Sequence, residues 1–205
     1  FKNHGPINIL EILKILNLNF TKNINSYDIQ DIKDLSSSTE NDITFFNSKK
    51  YKELANNTKA LFCITSSNLR DELPYNCIPL LVDNVLVSTS IIASKFYPDS
   101  IYDDFDNTVD NITETELNAK VKFGKNVLIG KKVSIGSDCQ IGHNTIIEKN
   151  VSIGNNCSIG SNVIIKNTIV GSNVKILDNC VIGKHGFGFF PNNNKNLRYP
   201  HIGIV

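Results

Sequence analysis

Among its 205 residues the chain has no methionine and no tryptophan. It opens on Phe1 rather than Met, so the sequence reads as a fragment, and a targeting segment ahead of Phe1 would be invisible. Long apolar runs are lacking as well, and none approaches the roughly 20 residues needed to cross a bilayer. The longest candidates, Ile78–Val87 and Val163–Val170, are strand-sized or broken by polar residues. Neither sign of charge dominates, since 21 Lys and Arg stand against 20 Asp and Glu. That balance leaves no electrostatic footprint for nucleic acid or anionic lipid. Five cysteines, an odd number without a secretory signal, argue against a disulfide framework. There is no C-x-x-C pair, and no Cys lies beside a His at ligand spacing, so an ordinary zinc motif is excluded. All five are read as reduced, small, core-filling residues.

What the chain does have is a period. From Phe123 it divides into blocks of six: FGKNVL, IGKKVS, IGSDCQ, IGHNTI, IEKNVS, IGNNCS, IGSNVI. An aromatic or aliphatic residue opens each block at Phe123, Ile129, Ile135, Ile141, Ile147, Ile153, Ile159 and Ile165, and Gly follows in six of the first seven. Four residues after each opener stands a small or β-branched residue, from Val127 and Val133 to Cys157 and Val163. One residue is then lost, and the register resumes at Val170, Ile176 and Ile182. A helix would repeat its apolar stripe every 3.6 residues, so this is β structure. The reading is a triangular parallel coil from about Val121 to Gly183, one turn taking three blocks. Openers point into a narrow core, and Gly, Asn and Asp sit at the corners, where positive φ costs them least. Cys139 and Cys157, one turn apart, become stacked neighbours.

Upstream, Ile7–Leu18 suits a short amphipathic helix. Leu61–Thr65 and Ile78–Val82 are compact, β-rich runs flanked by turn residues and read as buried strands, with a helix over Val85–Phe96. The acidic, Asn-rich stretch Asp99–Asn111 reads as a linker. Two domains result: an α/β domain over residues 1–105 and a parallel β-helix over 106–205. The final run, Tyr199–Val205, is apolar and strand-like, and domains rarely end mid-strand. The coil is therefore expected to be incomplete at its C-terminus.

A hexapeptide coil is a scaffold shared by acyltransferases, sugar nucleotidylyltransferases, zinc carbonic anhydrases and structural proteins. Two segments narrow the choice: Asn41–Tyr51 (NDITFFNSKKY), and Ile182–Pro191 (IGKHGFGFFP) with its continuation Arg198–Val205 (RYPHIGIV). With these, the chain resembles the UDP-3-O-(3-hydroxyacyl)glucosamine N-acyltransferases of lipid A synthesis. In that family an α/β domain carries an "ITF…KY" segment, and a "GFGF" insertion interrupts a left-handed coil before a "PxxG" strand. The resemblance implies a cytoplasmic homotrimer that moves a 3-hydroxyacyl chain from acyl carrier protein to the 2-amine of a UDP-3-O-acylglucosamine. It implies neither a metal nor an organic cofactor.

The resemblance also implies site residues. Phe45 and Tyr51 would sandwich the uracil ring, and stacking contributes roughly 1–3 kcal/mol per base. The bland reading of these two is an ordinary core or surface aromatic. Where the family carries Asn at the uracil edge, this chain has Ser48, with Asn47 beside it. Phe187 and Phe189 would line an acyl-chain groove, or pack the insertion against the coil. His185 and His201 flank the insertion, where each is placed either to approach substrate or to make a structural hydrogen bond. The family's general base is a His followed by Asn on a coil after "GFGF". The one His-Asn pair here, His143-Asn144, precedes that segment and reads as an exposed turn, so the base is expected beyond Val205. His143, His185 and His201 do not share equivalent coil positions, which disfavours a carbonic anhydrase. The alternatives are another hexapeptide acyltransferase acting on a nucleotide sugar, and a non-catalytic coil scaffold.

Overall fold

A computed structural model describes residues 1–19, 26–112, 120–186, 188–192 and 195–205. They form two compact units, one of residues 1–102 with 187–202, the other of residues 103–186 with 203–205.

In the first unit β1 (Ile7–Asn8) runs straight into α1 (Ile9–Ile15), because the Asn8 side chain accepts the Leu10 N–H at 3.1 Å and caps the helix. This helix is shorter than the apolar pattern of Ile7–Leu18 suggests. It stops after Ile15, and Asn17 turns left-handed with φ 53°. β1 pairs antiparallel with β2 (Asp28–Ile29). Then β3 (Asp31–Ile32), β4 (Asp42–Phe46), β5 (Phe62–Thr65) and β6 (Ile78–Leu81) form a parallel sheet in chain order. The short helix α2 (Lys52–Asn56) lies between β4 and β5, and α3 (Val85–Phe96) follows β6, capped by Asn84 on the Val87 N–H at 3.1 Å. Strand alternation divides the core: Ile43, Phe62 and Ile64 join Ile9, Ile12, Ile92 and Phe96, whereas Phe46 and Cys63 join Ala55, Leu69 and Cys77. Cys63 and Cys77 are free thiols, and a hydrogen bond donated by the Cys63 thiol to Cys77, together with burial, pushes the Cys63 pKa far above its ordinary value.

The second unit is built on the six-residue period. Two-residue strands at Lys122–Phe123, Gln140–Ile141, Ser158–Ile159 and Lys175–Ile176 form one parallel sheet. A second takes Leu128–Ile129, Ile146–Ile147, Ile164–Ile165 and Val181–Ile182, and a third takes Ser134–Ile135, Ser152–Ile153 and Ile169–Val170. Ser134 pairs with Ser152, one turn later, while Ser152 pairs with Ile169 because the lost residue shortens that turn. Openers Ile129 to Ile165 are buried, and the Cys157 N–H lies 3.3 Å from Cys139 Sγ, as stacking one turn apart requires.

Corner chemistry corrects the sequence reading, which gave one role to Gly, Asn and Asp. Positive φ falls three residues after each opener, at Asn126, Lys132, Asp138, Asn144, Asn150, Asn156 and Asn162. Among the described residues Gly183 is the one glycine recorded as left-handed, with φ 74°. The glycine after the opener is needed for space instead: a Cβ on Gly142 would meet the backbone of Gly160 and Ser161 on the next turn.

The next residue has an N–H pointing along the stack, and a side chain one turn later accepts it. His143 Nδ1 takes the Lys125 N–H at 2.8 Å, Ser161 Oγ takes that of His143 at 3.1 Å, and Asp178 takes that of Ser161 at 2.6 Å. Along another edge Asn155 takes the Ser137 N–H at 2.9 Å and Ser172 takes that of Asn155 at 3.0 Å. At the third edge the corresponding residues are Lys131 and Lys149, and lysine has no acceptor. Acceptors there come from the segment read as a linker: Thr108 Oγ1 takes the Lys131 N–H at 3.0 Å and Asp106 takes that of Lys149 at 2.6 Å. Residues 103–111 are thus a strap along the coil, with Asp110–Asn111 pairing antiparallel to Leu128–Ile129.

Candidate functional site

The Phe45–Tyr51 segment occupies the carboxyl end of β4, where open α/β sheets present their ligand sites. β4 is pinned at its start by Asp42, which is 1% exposed. Its carboxylate accepts from Thr39 Oγ1 at 2.7 Å, Thr39 N–H at 2.9 Å and Lys33 Nζ at 3.0 Å. Burial works to raise the Asp42 carboxyl pKa, but those donors outweigh it and hold the group below the usual carboxylate range. At the other end of the strand Thr65 Oγ1 donates to the Phe46 carbonyl at 2.9 Å, tying β4 to β5 where the site begins.

Phe45 is half-buried against the cluster containing Ile43, Phe62 and Ile64. Ser48 spends its hydroxyl locally: it caps a 3₁₀ turn, Lys49–Tyr51, by accepting the Lys50 N–H at 3.4 Å. That turn lifts Tyr51 out of the sheet, and its side chain is 44% exposed. Lys50 Nζ lies 5.8 Å from the centre of the Tyr51 ring, and Lys52 is paired with Glu72 at 2.8 Å. The segment thus carries one half-buried ring, Phe45, and one exposed ring, Tyr51, six residues apart.

The same compact unit holds the hairpin of Phe189–Asn192 and Lys195–Arg198. Ser90 Oγ on α3 donates to the Arg198 carbonyl at 3.3 Å, and the Tyr199 N–H closes onto the Gly188 carbonyl at 2.9 Å. Phe189 is 43% exposed at the hairpin's start. Phe190 and Tyr199 meet edge to face at 5.5 Å, and Tyr199 meets His201 at 6.3 Å. Burial raises the Tyr199 phenol pKa. His201 Nε2 is enclosed yet has no hydrogen-bond partner among the described residues. Phe187 lies outside the described residues. His143 is exposed, as its sequence position suggests, but its ring is engaged in the coil's hydrogen-bond ladder. Among the described residues no group of three or more His, Cys, Asp and Glu is placed to hold a metal ion.

Residues 26–94, which include the whole Phe45–Tyr51 segment, match the family model described as UDP-3-O-(3-hydroxymyristoyl) glucosamine N-acyltransferase, LpxD. Over this stretch the chain is similar to these N-acyltransferases. The UDP-3-O-acylglucosamine N-acyltransferase of Rickettsia prowazekii (strain Madrid E) is 34% identical over 99 residues, 47% of this chain and 29% of that protein. The protein of the same name from Ruthia magnifica is 32% identical over 132 residues, 63% of this chain and 36% of that protein. These matched stretches cover about a third of the relatives' own length. Residues 123–187 match a second model, the GMPPB C-terminal domain, so the coil by itself carries no one activity.

Sequence reasoning gave no role to Tyr199, whose ring meets that of His201. The glycines of G-F-G-F were read as breaking the coil and letting backbone approach a ligand or neighbouring subunit, and a Cβ on Gly188 would make only ordinary contact with His201 and Tyr199.

Proposed function

We propose that the protein of which this chain is part transfers a 3-hydroxyacyl group from acyl carrier protein to the 2-amine of a UDP-3-O-acylglucosamine in lipid A biosynthesis. The observation that carries this reading is the coincidence of the matched segment with two aromatic residues, half-buried Phe45 and exposed Tyr51, at and just beyond a strand's carboxyl end. Uracil stacks between those rings. Ser48 stands at the uracil edge, where its Oγ also caps the Lys50 N–H. Phe187, Phe189 and His201 serve the acyl chain.

In the reaction the amine nitrogen attacks the thioester carbonyl. A C–N bond forms, the C–S bond breaks, and the thiol leaves as a base takes the amine proton. Positioning supplies much of the acceleration once the amine is neutral and aligned. No residue of this chain is assigned as the base.

The domains are read as a uridine-nucleotide-binding α/β domain over 1–105 and a left-handed coil over 106–205, in a cytoplasmic homotrimer. Among the described residues no helix is long and apolar enough to cross a membrane. Assembly draws support from one coil face. Its non-core strand positions are Leu128, Ile146, Ile164 and Val181, where a second face carries Lys122, Gln140, Ser158 and Lys175. Tyr51→Ala is expected to weaken UDP-sugar binding about tenfold, in line with the loss of one stacking ring. Unchanged affinity in a calorimetric titration would remove the uracil assignment.

A further inference from the structure

Because β4, β5 and β6 run parallel, their amino ends open onto one edge of the sheet, the end away from Phe45 and Tyr51. A cleft of about 700 Å³ lies there, within the size range of small-molecule sites. Glu40 and Asn41 reach it from the turn before β4, Lys59 and Leu61 from the segment before β5, Asn76 from the loop before β6, and Tyr27 from the residue before β2. Two further lining residues are committed to the fold. Thr58 Oγ1 shares a hydrogen bond of 3.0 Å with Ser38 Oγ and accepts the Ala60 N–H at 3.3 Å, while Thr39 Oγ1 donates to Asp42 at 2.7 Å. The Tyr27 ring is held edge-on to Phe62 at 6.1 Å, so the walls are formed in advance of any ligand. By contrast, the side chains of Glu40, Asn41, Lys59 and Asn76 make no hydrogen bond or ion pair among the described residues. Their donors and acceptors stay available in the cleft.

This set selects a ligand chemistry. Glu40 and Lys59 offset each other, so neither a phosphate nor a polyamine meets a net countercharge. An alkyl chain would strip water from four polar side chains and return nothing. A free amino acid could place its two charges on Glu40 and Lys59, but it leaves both asparagine amides without partners. A saccharide answers all four. Each hydroxyl donates and accepts, so a row of them serves a carboxylate, an ammonium and two amides alike. The C–H groups of its ring cover the apolar wall of Tyr27 and Leu61. We infer that this cleft is a second small-molecule site, which binds a neutral saccharide through Glu40, Asn41, Lys59 and Asn76. It shares no residue with the Phe45–Tyr51 segment and is independent of the nucleotide reading.

An NMR titration of the full chain tests it, with maltose, lactose and cellobiose as neutral probes and phosphate, spermidine and leucine as controls. At least one disaccharide should give saturable shifts at the backbone amides of Glu40, Asn41, Lys59 and Asn76. Its affinity should not change as salt is raised, because the ligand carries no charge. Asn76→Ala and Lys59→Ala alter exposed side chains, and each should weaken binding roughly five- to tenfold, the value of one hydrogen bond. Saturating UDP should leave the sugar affinity as it was. The inference is overturned if none of the three disaccharides gives a saturable shift, or if binding is undiminished in both N76A and K59A. It is overturned equally if phosphate, spermidine or leucine binds the cleft in the sugars' place, or if UDP displaces the sugar, which would put the sugar in the nucleotide site. A chain that binds a disaccharide here but no UDP-sugar keeps this inference and overturns the nucleotide reading alone.

Discussion

The two units solve the same problem, burying β structure, by opposite means. The α/β unit has a four-stranded sheet whose two faces are closed by different clusters, and each core residue is singular: one Phe46, one Phe62, one Phe96. The coil has no second layer. It buries itself by repetition, each opener resting on the one a turn below, and satisfies its corners with side chains lent by the next turn. In the first unit a contact is unique and reaches across the whole sheet. In the second, energetics are nearly one-dimensional, and each turn answers mainly to its neighbours.

The largest test of that difference is cavity creation. Ile147→Ala and Ile64→Ala both remove a fully buried side chain, and each should cost about 2–5 kcal/mol in denaturant unfolding. Hydrogen exchange should separate them, with protection lost across β3 to β6 for I64A but only in turns adjoining Ile147 for I147A. Uniform loss in both would break the comparison.

Next comes a pair of glycines that look alike in sequence. Gly142→Ala drives a Cβ into the neighbouring turn and should cost about 1–3 kcal/mol, whereas Gly171 has nothing within 4 Å of an added Cβ and should tolerate Ala. Equal thermal shifts would show that close stacking is not why the first glycine is there.

Asp106→Ala should cost about 1–2 kcal/mol by leaving the Lys149 N–H unpaired. This contribution is acid-sensitive. Burial works to raise the Asp106 carboxyl pKa, but the Thr108 and Lys149 N–H groups outweigh it and hold the folded value below 3.8. Its stabilisation is therefore present above about pH 4 and lost as pH falls through the folded value. Asp34, lowered to about 2 chiefly by hydrogen bonds from Ser36 and Ser37, gives the α/β unit the same direction of loss between those limits. Glu148 runs the other way. Burial raises its carboxyl above 4.5 despite Lys166, so the protonated form is favoured below that pH and the benefit fades as pH rises through the raised value. Asp106→Ala should flatten the acid limb of the coil's unfolding profile, and Glu148→Gln should stabilise it at neutral pH.

The smallest effect is a gain. Lys132 stands alone among Asn and Asp residues at left-handed corners, with φ 59°. Lys132→Asn should add about 0.5–1 kcal/mol, read as a small rise in melting temperature.

Legibility followed the same division. The coil could be read because eleven openers vote on one period, and the lost residue after Ile165 showed as a shift in register. Roles within the repeat were not separable, since Gly142 and Asn144 both look like turn residues until the adjacent turn is in place. The strap was mistaken for a linker because acidity and asparagine usually mean solvent, while Asp106 and Thr108 are acceptors for lysine corners. In the α/β unit α3 was placed at its observed bounds, yet β1, β2 and β3, two residues each, have no pattern to detect. Phe45 and Tyr51 were found through a motif. The setting of His201 was not, because it depends on Gly188 and Tyr199 closing across a hairpin, a contact that no local spacing encodes.

One hydrogen-bond pair at the end of the detour carries a further consequence. After leaving at Gly183 the chain comes back, and Val205 takes its place beside Asn167 and Ile169 through N–H to carbonyl bonds of 3.0 and 2.9 Å. The thread therefore asks of an excursion only that it return in step. Lengthening such a detour is cheap, since each doubling of a loop adds only about 0.6 kcal/mol of closure entropy. Evolution can graft, trim or exchange a hairpin at such a corner without renegotiating the core, so new specificity on this scaffold arises by splicing rather than by repacking.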